Sequence, residues 1–347
     1  MGSVQETNAA WAVRGAGRDE AFERYRQGMG GLYAIEGVAP RARRRFYNRS
    51  GMTLGPMGLV GWGESPAQTM IRNRDLTRRS EIDGLNLVVN MAPVLGDSDG
   101  RPLRARAGDV QFRDLSRPSA GRYRRVCLTT LMVPRDRMPP ALLAADLHGR
   151  VLPVASEAGR VLSGHIRLLS RLSSVLSPDQ LETGVRAALI MAGRAMGDAR
   201  ALAPEDETAL RQSLRWRAAR VIERRLLDPD LGPDQVARVC GGSRASLYRA
   251  FEAEGGVGRY IQSRRLERAY RHLLSHPEAR RIGEVALAHG FASQPHFSRL
   301  FRDRFGCTPS SVGPNEGVAP PEAGAARSGD MRHGQAVAWL RTLSAGD

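Results

Sequence analysis

The chain has 347 residues, 41% of them hydrophobic and 25% charged, which is typical of a globular protein long enough for two domains. No apolar run approaches the roughly 18 residues of a membrane span, and Met1–Gly15 lacks the basic head and apolar stretch of a secretory signal. The three cysteines are widely separated, which excludes a disulfide framework and a zinc-ligand motif and favours a cytoplasmic location.

The net charge of +16 favours a nucleic-acid partner but does not locate the binding surface. All 52 basic residues are arginine, so a compositional bias explains part of the excess. Residues 228–309 carry 13 arginines and 9 acidic residues, whereas residues 1–130 carry 21 arginines and 13 acidic residues. The location of a DNA-binding surface must therefore be inferred from sequence pattern.

The first half of the chain has the pattern of a small β-barrel or sandwich followed by helices. Residues 1–22 are predicted to be a disordered lead-in. Short apolar runs separated by glycine and proline then predict strands at Gly58–Gly63, Leu85–Met91, Asp109–Leu115 and Val126–Val133. Helical periodicity follows at Pro140–Leu147, Glu157–Val175, Pro178–Met196 and Glu205–Leu227.

If this region binds a small effector, inward apolar and aromatic side chains of the strands are the candidates to line the site. These residues are Trp62, Leu87, Val89, Phe112 and Leu131. An ordinary apolar core is the alternative for each of them. The predicted β region contains no histidine, so we expect neither a histidine-liganded metal site nor a cofactor.

Residues 228–309 are the most informative stretch, because one pattern occurs there twice. The first copy is Val236, Ala237, Gly241, Ser243, Leu247 and Phe251, and the second is Val285, Ala286, Gly290, Ser293, Phe297 and Phe301. Each copy predicts a helix, a tight turn at glycine, a serine cap and a second helix with a buried ridge. The repetition indicates two helix-turn-helix units.

The second helix of such a unit presents outward residues near its N-terminus to base edges in the major groove. The candidates for DNA contact are Arg244, Ala245, Ser246, Tyr248 and Arg249 in the first unit, and Gln294, Pro295, His296, Ser298 and Arg299 in the second. Arg249 suits guanine and Gln294 suits adenine. The alternative for an isolated arginine is a solvated surface charge.

The apolar stripe of Val257–Ser275 predicts one helix between the two units. A helix of that length rises about 28 Å, near the roughly 34 Å of one turn of DNA. We therefore expect the two units to enter successive major grooves on one side of a duplex.

These residues resemble the AraC/XylS family of bacterial transcription regulators. The shared motifs are Asp228–Leu231, Ser243–Arg244, Leu247–Arg249, Phe251, Arg265–Leu266, Ala269, Gly290–Phe291, Ser293, His296–Arg299, Phe301, Phe305–Gly306 and Thr308–Pro309. The sequence departs from the family after Pro309, where Ser311–Gly313 replaces an aromatic–basic pair. The N-terminal half is similar, more loosely, to the family's effector-binding and dimerisation domains, best at Gly108–Val110 and the run to Pro134.

The resemblance implies an α+β protein with a cupin-like β-barrel and following helices, then an all-α domain of two helix-turn-helix units joined by a linker helix. The expected organisation is a lead-in at 1–22, an effector-binding and dimerisation domain at 23–204, a DNA-binding domain at 205–312 and a flexible tail at 313–347.

The resulting hypothesis is a cytoplasmic, non-enzymatic, sequence-specific DNA-binding regulator. It is expected to be a homodimer that activates bacterial promoters through RNA polymerase in response to a small molecule. One alternative is an enzyme or repair protein that carries the DNA-binding module as a passenger, which a reactive constellation in residues 23–200 would favour. Another is an effector-independent DNA binder, which an effector-independent footprint would support.

Overall fold

The computed structural model describes residues 7–14, 20–80, 82–276 and 281–312. They divide into two compact units, with the boundary between Ala209 and Leu210. Within these ranges no helix has the length and hydropathy needed to cross a bilayer. The tail predicted for 313–347 lies outside the described residues.

The N-terminal unit is built on an antiparallel sheet. Its strands are β1 (Thr7–Arg14), β2 (Ala34–Glu36), β3 (Tyr47–Gly55), β4 (Gly58–Arg72), β5 (Gly84–Asn90), β6 (Val94–Ser98), β7 (Arg101–Ala105), β8 (Val110–Asp114), β9 (Ser119–Pro134) and β10 (Val151–Leu152). The main order is β1-β3-β4-β9-β5-β8-β10. The long strand β9 pairs with β4 along most of its length, with β6 near its start and with β5 near its end.

Helices cover both faces of this sheet. They are α1 (Glu20–Met29), α2 (Pro40–Arg43), α3 (Arg74–Ser80), α4 (Pro140–Ala144), α5 (Glu157–Leu172) and α6 (Pro178–Ala195). α5 packs against β5, β8 and β9, and α6 packs against α5. Ser177 begins α6 with a capping box, in which its side chain accepts from the backbone N–H of Gln180. On the other side, α1 contributes Phe22, Tyr25 and Met29 to a core shared with β4 and β9.

The predicted lead-in at residues 1–22 is wrong where the structure describes it. Thr7–Arg14 forms β1, which pairs with β3 over its whole length. α1 begins at Glu20, and Phe22 is buried against the ring of Phe46 at a centroid distance of 5.3 Å. The backbone of β1 acquires its order from a ladder with β3, a partner about 40 residues away, and local sequence does not reveal such a partner.

The C-terminal unit contains most of α7 and the remaining helices. The helices are α7 (Pro204–Arg224), α8 (Pro233–Cys240), α9 (Arg244–Ala250), α10 (Val257–Ser275), α11 (Ile282–Ala288) and α12 (Gln294–Phe305). The bounds predicted for α10 are confirmed to the residue. The mixed class, with an antiparallel sheet first and helices after it, is confirmed as well.

Two separate apolar cores hold this unit, and α10 takes part in both. Val257 and Ile261, from its first turns, join the core of α7, α8 and α9. Leu266, Tyr270 and Leu273, from its later turns, join the core of α11 and α12. Because one continuous helix enters both cores, α10 joins the two helix-turn-helix units directly.

Candidate nucleic-acid interface and effector cavity

The first helix-turn-helix unit consists of α8 and α9 joined at Gly241. Gly241 has a φ of 64°, a left-handed conformation that favours glycine. The Ser243 hydroxyl accepts from the backbone N–H of Ser246 at 3.0 Å, and the Ser246 hydroxyl accepts from the backbone N–H of Ser243 at 2.9 Å. Leu247 is fully buried. The reciprocal cap and the buried leucine together determine which side of α9 faces solvent.

The solvent-facing side of α9 carries most of the residues predicted to contact DNA. Arg244, Ala245, Tyr248 and Arg249 are exposed, whereas Ser246 is half-buried with its hydroxyl in the cap. Arg244 forms an exposed ion pair with Asp234 at 3.1 Å. Arg249 makes no ion pair with any residue that the structure describes. Of the two arginines, Arg249 is therefore the one whose charge is not already shared with a carboxylate.

Tyr248 lies over the glycine turn that follows α9. Its hydroxyl donates to the carbonyl of Gly255 at 3.5 Å, while the side chain remains 60% exposed. Gly256 has a φ of +101°, and a Cβ at that position would lie 2.7 Å from the tyrosine ring. Glycine at 256 is thus required both by the backbone and by the approach of the ring.

The second unit, α11 and α12, repeats the geometry of the first. Gly290 has a φ of 78°, and the Ser293 hydroxyl accepts from the backbone N–H of His296 at 3.4 Å. Phe297 and Phe301 are fully buried, with ring centroids 5.4 Å apart. The predicted DNA-contact residues are exposed except for Ser298, which is half-buried; the exposed ones are Gln294, Pro295, His296 and Arg299.

The end of this unit differs in sequence from the family pattern but is packed. Pro309 and Val312 are both buried, and Val312 belongs to the core of α11 and α12. An aliphatic side chain therefore closes the core next to the point where the usual aromatic–basic pair is missing.

Arg265, on α10, connects the two helix-turn-helix units through three backbone carbonyls. Its guanidinium donates to Leu226 at 3.0 Å, to Asp228 at 2.6 Å and to Gly290 at 3.0 Å. The first two carbonyls precede α8, and the third belongs to the turn between α11 and α12. The sequence pattern included Arg265 only as a family motif, and the structure assigns it this bridging position.

The N-terminal unit contains a cavity of about 100 Å³ on the α1 side of the sheet. Most of its lining is apolar, from residues such as Met29, Leu59, Met70, Val88 and Met132. Polar groups also line it, namely Asn48, Ser50, Asn86, Arg113 and Thr130. Trp62 borders the cavity and is 39% exposed. Its side chain is the most exposed of the large apolar residues that line the cavity.

Of the five residues predicted to line an effector site, the structure brings Trp62 to this cavity. Leu87, Val89, Phe112 and Leu131 are fully buried but are not part of the lining. Successive side chains of a strand point to opposite faces. The lining residues Asn86, Val88, Arg113 and Thr130 are the immediate neighbours of those four in β5, β8 and β9, so the four point toward the face that α5 covers.

Arg113 is the functional candidate that sequence reasoning missed. It is 4% exposed and donates to the hydroxyls of Tyr33 and Tyr123 and to the side-chain oxygen of Gln111, the last at 2.8 Å. A lone arginine in a strand is ordinarily placed on the solvent side. The available signal was that the polar residues Gln111 and Arg113 alternate with the apolar Phe112 along the strand.

Two histidines of the N-terminal unit are buried but belong to the scaffold. His148 accepts the backbone N–H of Asp114 at Nδ1, 3.1 Å, so its Nε2 donates to the carbonyl of Pro118, 3.0 Å. Burial lowers the pKa of His148, which keeps the ring neutral. His165 bonds to the carbonyl of Gly184. Within the described residues, no group of three or more His, Cys, Asp or Glu side chains is arranged to hold a metal ion.

Comparison with known proteins places the C-terminal region among transcription regulators. Residues 236–313 match the family described as a helix-turn-helix domain. The transcriptional activator NphR of Rhodococcus sp. is 38% identical over 94 residues, covering 27% of this chain and 28% of that protein. The regulatory protein SoxS of Salmonella typhimurium is 38% identical over 86 residues, covering 24% of this chain and 78% of SoxS.

A further relative combines regulation with an enzyme. The bifunctional transcriptional activator/DNA repair enzyme AdaA of Bacillus subtilis is 33% identical over 79 residues, covering 22% of this chain and 36% of that protein. Among solved structures, the AraC-like transcriptional activator CuxR has 24% identity and a TM-score of 0.47, with 76% of this chain and 95% of CuxR covered. The chain thus matches about a third of the length of NphR and AdaA.

Proposed function

This chain belongs to the AraC/XylS family of transcriptional regulators, and we propose that it binds promoter DNA sequence-specifically through α9 and α12. The observation that carries the proposal is the exposure of an unpaired arginine on each recognition helix. Arg249 and Arg299 form no ion pair with the described residues, and both stand on the solvent side of a helix whose opposite side is fully buried. A guanidinium in that position can bind guanine in the major groove through two hydrogen bonds.

The contribution of α10 to the cores of both helix-turn-helix units supports simultaneous binding of two major grooves. α10 has 19 residues and therefore spans about 28 Å. Successive major grooves on one side of DNA are about 34 Å apart, and modest bending of the duplex would bring them within reach. Each α9–α12 pair would then read two segments of one promoter site.

The remaining parts of the proposed function concern the N-terminal unit and the partners. We propose that this unit binds a small effector in the cavity bordered by Trp62 and pairs with a second copy of the chain. Effector binding would bias the arrangement or the accessibility of the DNA-binding units. RNA polymerase is the proposed target of activation, and the bacterial cytoplasm is the proposed location.

The test is a footprint on a DNA site selected in vitro with the full chain. Arg249→Ala and Arg299→Ala should each weaken binding at a different segment of the site and relax base preference there by about 1–3 kcal/mol. Arg171→Ala, an exposed arginine on α5, is the control with the same charge change and should leave the footprint intact. Equal loss on all sequences would assign the two arginines to phosphates, and no loss would contradict the proposed interface.

A passenger DNA-binding module in an enzyme is the alternative, and the AdaA match gives it a specific reason. Repair or group-transfer chemistry at a cysteine would need a reactive thiolate. Burial raises the pKa of Cys240 to about 11, which favours the thiol. Cys240 is therefore a poor candidate for such chemistry, and alkylation of the native protein by iodoacetamide should proceed slowly at this residue.

A further inference from the structure

We propose that the cavity of the N-terminal unit binds a small organic monoanion, with its carboxylate on Arg113 and its apolar body against the methionine- and leucine-rich wall. The inference rests on the proposed effector response and specifies the chemical class of the effector. It follows from the burial of Arg113, from the neutral character of its partners and from the composition of the lining.

Arg113 carries a buried positive charge with no buried negative charge beside it. Its acceptors are the hydroxyls of Tyr33 and Tyr123 and the amide oxygen of Gln111, all of which are neutral. It forms no ion pair within the part of the chain that the structure describes. Neutral acceptors recover only part of the hydration that a buried guanidinium loses. A ligand carboxylate at this position would complete the pair and accept charge-assisted hydrogen bonds.

Arg72 is a second buried arginine of the same unit, and its acceptors are neutral as well. It is 1% exposed, and its guanidinium donates to the carbonyls of Leu115 at 2.7 Å and Leu32 at 3.0 Å and to the hydroxyl of Ser80. Arg72 does not line the cavity, whereas Arg113 does. The two arginines are therefore equally buried but differ in what they face: Arg72 faces backbone carbonyls, and Arg113 faces a cavity.

The rest of the lining selects for a small apolar body and against cations. Arg113 is the charged member of the lining set, which contains no acidic residue among the described side chains. The Oδ1 of Asn86 accepts a hydrogen bond from the hydroxyl of Thr130. The amide nitrogen of Asn86 makes no hydrogen bond with the described residues. A volume of about 100 Å³ is somewhat smaller than the roughly 150 Å³ cavity that accommodates benzene. A chain of a few carbons bearing one carboxylate fits these limits.

The test uses the full chain without DNA and three matched probes in isothermal titration. Propanoate and butanoate should bind, and the neutral butanamide should bind at least tenfold more weakly because it cannot pair with Arg113. Sodium chloride at matched ionic strength controls for adventitious anions. Equal binding of the carboxylate and the amide, or no binding of either carboxylate, would overturn the proposal without the use of any variant.

Variants then locate the site. Arg113→Gln should reduce carboxylate affinity at least tenfold while leaving amide binding unchanged, and Arg113→Lys should restore part of the loss. Arg124→Gln, an exposed arginine of β9 outside the lining, is the matched control and should bind like the parent. Leu128→Trp, which fills the cavity, should abolish binding of both ligands; unchanged binding in this variant would place the ligand elsewhere and refute the proposal.

The two proposals fail separately in these measurements. Arg249→Ala should lose base preference on DNA but bind butanoate normally, since α9 lies in the other unit. A normal footprint with no carboxylate binding would reject the ligand class and keep the DNA-binding function. Carboxylate binding with no footprint would reject the DNA-binding function and keep the cavity assignment.

Discussion

At the scale of single residues, the two helix-turn-helix units depend on a small number of buried side chains at equivalent positions. Leu247 in α9 and Phe297 in α12 each stand four residues after a capping serine and are fully buried. Ser243 and Ser293 provide the caps. The arginines of these helices face solvent because the opposite side of each helix is anchored in this way.

Truncation of Phe297 should destabilise the C-terminal unit. Phe297→Ala removes a ring that packs on Phe291 at 5.0 Å and on Phe301 at 5.4 Å, so we expect a loss of about 3–5 kcal/mol in the free energy of unfolding. Urea denaturation followed by circular dichroism measures the change. Arg302→Ala, an exposed neighbour on α12, should change stability by less than about 0.5 kcal/mol. An unchanged midpoint for the phenylalanine variant would contradict its burial.

Protonation of His148 should weaken the N-terminal unit at acidic pH. Burial lowers the pKa of His148 in the folded state, whereas the unfolded side chain titrates near its ordinary value of about 6.5. The unfolded state therefore binds more protons below that pH, and stability should fall as pH decreases from about 6.5 toward the folded-state pKa.

The measurement is the denaturation midpoint of the N-terminal unit between pH 7.5 and pH 5. His148→Gln, which cannot titrate, should flatten this dependence even if the variant is less stable overall. His296→Gln, at an exposed position, should keep the parent profile. An identical pH dependence in all three proteins would exclude His148 as the responsible group.

At the scale of elements, α10 and its Arg265 fix the two helix-turn-helix units relative to each other. The helix enters both cores, and Arg265 bonds to backbone carbonyls that belong to different units. An apolar core alone permits small rotations of one helix on another. Three directed hydrogen bonds from a half-buried guanidinium restrict such rotations.

Removal of the Arg265 guanidinium should loosen the coupling between the two helix-turn-helix units. Arg265→Met keeps the apolar stem but leaves the carbonyls of Leu226, Asp228 and Gly290 without their charged donor, so we expect a loss of at least about 2 kcal/mol. Arg268→Met, an exposed position on the same helix, is the control.

DNA binding adds a second readout for this variant. The parent should lose affinity sharply when five base pairs are inserted between the two segments of its site, because the insertion rotates one groove to the opposite side. The Arg265→Met protein should lose less on insertion. Equal spacing sensitivity in both proteins would show that Arg265 does not set the relative position of the recognition helices.

At the scale of the whole molecule, the charge of +16 is distributed over both units and does not by itself mark the interface. The arginines of the C-terminal unit divide into two groups. Several are engaged in ion pairs or carbonyl contacts that stabilise the helices, as Arg264 is with Glu223 and Arg265 is with Asp228. Others, including Arg249 and Arg299, remain available to a polyanion.

Salt should therefore weaken DNA binding in a graded way. The logarithm of the affinity should fall linearly with the logarithm of salt concentration, with a slope of about 0.9 per phosphate neutralised. Loss of a phosphate contact should lower that slope by about one, whereas loss of a base contact should leave it nearly unchanged. Fluorescence anisotropy at several salt concentrations with Arg249→Ala and Arg299→Ala assigns each arginine, and a flat response in the parent would argue against DNA as the partner.

The helix-turn-helix units could be predicted from the sequence because their boundaries are local. A serine cap accepts a hydrogen bond from a backbone N–H three residues away, and a glycine turn depends only on the φ of that glycine. Ser243, Gly241 and their counterparts in the second unit could therefore be identified without knowing which segments pack against them. The amphipathic period of α10 is likewise contained in its own 19 residues. These features determined the class of the C-terminal unit and the side of each helix that faces solvent.

The cavity of the N-terminal unit was decided only by the tertiary structure. All seven residues of β5 are buried, so its sequence shows no alternation from which to read which side chains face the cavity, and the predicted set was taken from the other side of the strand. β1 owes its order to pairing with β3, and Arg113 of β8 contacts Tyr33, in the segment before β2, and Tyr123, on β9. Local sequence determines caps, turns and helical faces because those interactions close within a few residues; a cavity forms between distant segments, and its lining depends on how they come together.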